Sequence, residues 1–66
     1  MSQEEYNNLK DLIGSAKNEL IKADQILTAL NKTTDMGCIQ SGLDSVKKFI
    51  ANADEILQWV NRSFSN

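Results

Sequence analysis

Apolar residues recur along this chain at alternating steps of three and four, in two runs. The first is Tyr6, Leu9, Ile13, Ala16, Leu20, Ala23, Leu27 and Leu30, and the second is Met36, Ile39, Leu43, Val46, Ile50, Ala53, Leu57, Val60 and Phe64. That spacing gathers each run on one side of an α-helix, whereas a half-buried strand would alternate at every second residue. With Tyr6 and Met36 taken as heptad position a, the two runs are the a and d columns of a helical seam. The f column (Glu4, Asp11, Asn18, Gln25, Ser41, Lys48, Glu55, Arg62) is wholly polar and marks the solvated back. The pattern predicts an all-α antiparallel two-helix hairpin, with helices over about 3–31 and 36–62 in one domain covering 1–66.

Local signals place the helix ends. Ser2-Gln3-Glu4-Glu5 is a capping box, in which the Ser2 hydroxyl accepts from the Glu5 N–H and the Glu5 carboxylate reaches back. Gly14 costs the first helix about 1 kcal/mol against alanine without stopping it. Asn31-Lys32-Thr33-Thr34-Asp35 is the turn; Lys32 stands at the negative end of the first helix, and Thr34 or Asp35 caps the second. Ser63 to Asn66 are expected to fray. With no proline in the chain, each helix runs uninterrupted for about 40 Å.

A third column is apolar as well. Position g carries Leu12 and Ile26 in the first helix and Phe49 and Ile56 in the second. A two-stranded seam needs only a and d, and an added column marks a helix with a second neighbour. Because one hairpin has only two helices, Leu12, Ile26, Phe49 and Ile56 are expected to mediate self-association. The simplest product is a homodimer forming an antiparallel four-helix bundle. Alanine at d (Ala16, Ala23, Ala53) allows close backbone approach in mid-bundle.

A short turn sets Leu30 beside Met36 and Leu20 beside Val46, with Lys17 against Lys47. Sliding by one heptad would pair Asp24 with Lys47 and Lys17 with Asp54, but would stretch the loop to roughly ten residues against a usual 2–8. Exposed ion pairs return only about 0–1 kcal/mol, so the short turn is expected, with the Asp–Lys complementarity left to act between protomers. The halves also match at an offset of thirty, Ala23-Asp24-Gln25-Ile26-Leu27 over Ala53-Asp54-Glu55-Ile56-Leu57. Duplication and convergence on one heptad both account for this.

Size strengthens the case for oligomers. A chain of 66 residues buries only about 60% of its unfolded surface and is marginally stable alone. One cysteine, Cys38, excludes an internal disulfide, and with no histidine there is no metal centre of the usual four-ligand kind. The balance of seven basic and nine acidic residues, formally −2, exerts no general pull on nucleic acid or anionic membrane. No apolar stretch approaches the roughly 18 residues that span a bilayer. An acidic N-terminus without an export pattern, together with a free cysteine, gives a cytoplasmic location as the expectation.

No catalytic constellation or cofactor motif is visible. The carboxylates fall mainly at e, f, g and b positions, Cys38 has no local base or cation, and the glycines fit no phosphate loop. Trp59, at position c, offers a large apolar surface with one polar handle, as binding hot spots do. In a short-turn hairpin it lies near Tyr6, where it is expected to cover the bundle end or join the dimer interface; the alternative is an external partner site, a patch that Ile21 would extend. Lys10, Lys17 and Lys47 in the e column are the candidates for a nucleic-acid or nucleotide contact, but Asp24 and Asp54 interrupt them and no aromatic stands among them to stack.

In plan, two heptad helices joined by a tight turn in a chain of this length, the sequence resembles the Rop family of plasmid copy-number regulators. That resemblance implies a dimeric four-helix bundle that binds paired RNA loops through a face with polar residues and an aromatic. The first helix here has no aromatic except Tyr6 on the seam, so no RNA-binding residue carries over. Ser2-Gln3-Glu4-Glu5-Tyr6, followed by Leu9, Asp11 and Leu12, is similar over about one third of the chain to helical-hairpin phage proteins that sequester cyclic-nucleotide immune signals. The expectation is a non-enzymatic, self-associating phage- or plasmid-type regulator or inhibitor acting on a host protein. An RNA- or small-nucleotide-binding bundle is the alternative.

Overall fold

The computed structural model describes residues 1–64, the side chain of Phe64 excepted; of the fray expected from Ser63 on, Ser63 and Phe64 are instead helical, and Ser65 and Asn66 lie outside the described residues. Among these residues the chain forms two packed helices and no strand, α1 (Gln3–Leu30) and α2 (Met36–Phe64). The capping box forms as the sequence indicates. The Glu5 N–H donates to Ser2 Oγ at 3.1 Å and the Ser2 N–H to Glu5 Oε1 at 3.2 Å. At the far end of α1, Asn31 keeps helical dihedrals (φ −58°, ψ −24°). The N–H groups of Asn31, Lys32 and Thr33 donate to the carbonyls of Thr28, Ala29 and Leu30 at 3.3, 3.4 and 3.2 Å, tightening the end into 3₁₀-type turns. Asp35, not Thr34, caps α2: its Oδ1 accepts from the Gly37 N–H at 3.0 Å.

The helices meet through a different pair of columns from the one expected. Withdrawn wholly or partly from solvent are Leu9, Leu12, Ala16, Glu19, Ala23, Ile26 and Leu30 of α1, and Ile39, Gly42, Val46, Phe49, Ala53, Ile56 and Val60 of α2. These are d and g positions; elsewhere in the helices Gly14 and Asn52 are also partly withdrawn, and the a residues from Tyr6 to Leu57 stay exposed. The physical reason is size. The d and g columns hold the small residues Ala16, Ala23, Ala53 and Gly42, which let the backbones close and seat large residues from across the seam. The a column is large throughout and would hold the axes apart. Leu12, Ile26, Phe49 and Ile56, expected to face another protomer, therefore stand half-buried between the two helices of one chain.

The register is corrected too. A Cβ added to Gly42 would stand 2.7 Å from Leu30 Cδ2, so Leu30 lies over Gly42 and not beside Met36. Lys22 Nζ, 5.8 Å from the Phe49 ring centroid, agrees. Antiparallel counting from Leu30 and Gly42 then sets Ala23 level with Phe49, Ala16 with Ile56 and Ile26 with Val46. This is close to the slid pairing that levels Asp24 with Lys47, yet the loop is only 31–35. The tightened turn carries the chain past Leu30 before α2 begins, so the start of α2 overhangs the end of α1. The 50 Å long dimension exceeds the roughly 43 Å of a 29-residue helix for that reason.

Only Ala16, Ala23 and Ala53 are buried apolar residues, and no large side chain is fully enclosed among the described residues. The accessible surface is 5266 Å², against about 4,200 Å² for a compact monomer of 7.4 kDa. The excess, on the order of 1,000 Å² by that scaling, is what a single hairpin leaves uncovered.

Candidate interaction faces

With d and g turned inward, helix geometry sends column a to one flank of the seam and column c to the other. Antiparallel pairing brings both a columns to the same flat side. Tyr6, Ile13, Leu20 and Leu27 of α1 thus lie alongside Met36, Leu43, Ile50 and Leu57 of α2. These eight are among the eleven large apolar residues left exposed in the described structure. The other three (Met1, Ile21, Trp59) are scattered, so the exposed apolar surface is one face and not a sprinkling. Leu20 is 47% exposed, Leu27 56% and Ile50 49%.

The e column borders this face on its outer edges, one step beyond a. Lys10, Lys17 and Asp24 run along α1, and Lys47 and Asp54 along α2; all five are exposed. Within the protomer, the ion pair among the described residues joins Glu19 and Lys22 at 3.8 Å, so none of the five is paired. Asp54 accepts a hydrogen bond from Gln58 Nε2 at 3.0 Å.

The remaining candidate residues do not form one patch. Tyr6 belongs to the a face. Trp59, 56% exposed, stands on the c flank with the Arg62 guanidinium 5.7 Å from its ring, a cation–π arrangement. The observed register sets Trp59 level with Ile13, so the expected neighbourhood of Trp59 and Tyr6 does not form. Ile21, at b, points to the back of α1 and extends neither face.

Two polar details accompany these faces. Glu19, at g, takes part in the seam, and its Oε2 is buried with no hydrogen-bond partner. The periodicity contained the signal, since Glu19 sits midway between Leu12 and Ile26. At the start of α2 the exposed Cys38 thiol donates to Asp35 Oδ2 at 3.3 Å. That contact and the Gly37 N–H hold the Asp35 carboxyl below its ordinary value of 3.8. The partner of Cys38 is thus an acceptor carboxylate, not the cation that activates a thiolate.

Among the described residues there is no enclosed cavity, no grouping of His, Cys, Asp and Glu able to hold a metal, and no helix long and apolar enough to cross a membrane. Compared with protein-family models, curated proteins and solved structures, the chain matches none.

Proposed function

We propose that this is a non-enzymatic, self-associating binding protein, in which two hairpins close their a faces into an antiparallel four-helix bundle. The dimer acts as a small regulator or inhibitor of the phage or plasmid type by occupying the surface of a host protein. The observation that carries the reading is the a face. Eight large side chains, each about half open, amount to roughly 800 Å² per protomer. That exceeds the 300–600 Å² largest patch of a typical monomer and equals one partner's share of a standard interface. A fold whose buried residues, among those described, are three alanines needs that surface covered to be stable.

Closing the a faces leaves Trp59 and Arg62 on the opposite flank, free for a different protein. An aromatic with an adjacent arginine is the pairing enriched in interface hot spots. Nucleic acid is the weaker partner on this geometry, because Lys10, Lys17 and Lys47 share their column with Asp24 and Asp54.

Sedimentation equilibrium tests self-association: the mass should double as concentration rises through the micromolar range, and a stable folded monomer there would overturn it. For the partner, a host protein retained by the wild type should be lost with Trp59→Ala, with little sensitivity to salt. Retention that collapses steeply with added salt would instead indicate nucleic acid.

A further inference from the structure

We infer that the e column, with Lys17 and Asp24 on α1 and Lys47 and Asp54 on α2, is a charge rim that selects a second copy of this chain as the occupant of the a face. The inference rests on the self-association proposed above and specifies which residues choose the partner. In this column each helix carries a lysine followed seven residues later by an aspartate, in opposite order once the helices run antiparallel; Lys10 stands one heptad before Lys17, level with the uncharged Asn61. By the Leu30–Gly42 register, Lys17 and Asp54 share one level, and Asp24 and Lys47 share the next.

A two-fold dimer packed face to face has its axis either along the helices or across them. With the axis along the helices, α1 lies on the partner's α2 at unchanged levels. Lys17 then meets the partner's Asp54, and Asp24 meets the partner's Lys47. With the axis across, at the level midway between Lys17 and Asp24, α1 lies on the partner's α1. Lys17 then meets the partner's Asp24, and Lys47 meets the partner's Asp54. Both arrangements form four opposite-charge pairs, and none sets like charges together. The four side chains are exposed and make no ion pair within the protomer among the described residues. A copy of the same chain satisfies them all, whereas an unrelated apolar helix would leave the rim unmatched.

The test uses two variants of the full chain. One has an acidic rim (Lys17→Glu with Lys47→Glu), the other a basic rim (Asp24→Lys with Asp54→Lys). The changed positions are exposed and outside the seam, so both should keep wild-type helicity by circular dichroism, which serves as the folding control. Each alone should dissociate about tenfold or more readily than wild type, four attractive contacts having become repulsive. Mixed in equal amounts they should form a heterodimer in preference to either homodimer, at an affinity near that of wild type. If wild type is dimeric and the variants also dimerise normally and mix statistically, the rim does not select the partner and the inference fails. A monomeric wild type would instead overturn the self-association beneath it.

Discussion

Two glycines within the helices carry opposite consequences for stability. A Cβ on Gly14 meets nothing within 4 Å. Gly14→Ala should therefore deliver the bare helix-propensity gain of about 0.5–1 kcal/mol, visible as a higher urea midpoint. A Cβ on Gly42 would lie 2.7 and 2.8 Å from the methyl carbons of Leu30, which is itself half-buried in the seam. Leu30 must swing or the helices must part, which opposes the same propensity gain, so Gly42→Ala should give no increase in midpoint and a loosened turn end. A third local effect depends on pH. The Asp35 carboxyl lies below its ordinary 3.8 through the Cys38 thiol and the Gly37 N–H, so the folded chain binds this proton less readily than the unfolded one. The cap's contribution is then complete above about 4 and is lost as the pH falls through the lowered folded value. Asp35→Asn, which still caps but does not titrate, should melt with a weaker acid dependence than wild type between about pH 5 and 2.

At the scale of the helices, the choice of seam decides what each column does. Glu19 is the anomaly, a carboxylate among apolar neighbours with one oxygen buried and offset only by Lys22 at 3.8 Å. A methionine of similar length would keep the packing and remove the unmet desolvation. Glu19→Met should thus raise stability by about 1 kcal/mol, read from the shift in thermal midpoint; a loss would show that the Glu19–Lys22 pair outweighs its desolvation. The choice of Asp35 over Thr34 and the continuation of α2 to Phe64 needed the structure, whereas the Ser2 cap, the extent of α1 and the start of α2 were legible in the sequence, because those signals act within one turn of the residues that carry them. The seam was not. With three adjacent apolar columns, periodicity alone permits a with d or d with g, and the decision falls to the sizes of residues that meet only when two helices pack. Gly42 and the three alanines tipped it. The register is hidden for a related reason: in sequence the loop reads as a plain reversal, while its first residues continue α1 as a tightened turn and move α2 outward. Tyr6 reads from periodicity as a seam residue, and its place on an exposed face follows only from Phe49 and Ile56 filling the inside.

For the whole molecule, the two apolar surfaces have separable fates under mutation. Leu20 and Ile50 lie near the middle of the a face and are about half exposed, so aspartate there creates no buried charge in the isolated hairpin. It does create one in the bundle, where burial of an unpaired carboxylate is costly. Leu20→Asp with Ile50→Asp should therefore abolish association while preserving helicity at low temperature, and the melting temperature should cease to depend on protein concentration, as mass action requires of a monomer. Phe49→Asp places the same charge inside the hairpin, level with Ala23, and should unfold the chain at every concentration. Were both variants simply to lose helicity together, the hairpin would have no folded existence apart from the dimer, and α1, α2 and their copies would form one cooperative unit. Were the Leu20/Ile50 variant to sediment as a dimer, the a face would not be the contact. The comparison thus assigns the inner columns to folding and the outer column to association, from one substitution type placed at two depths.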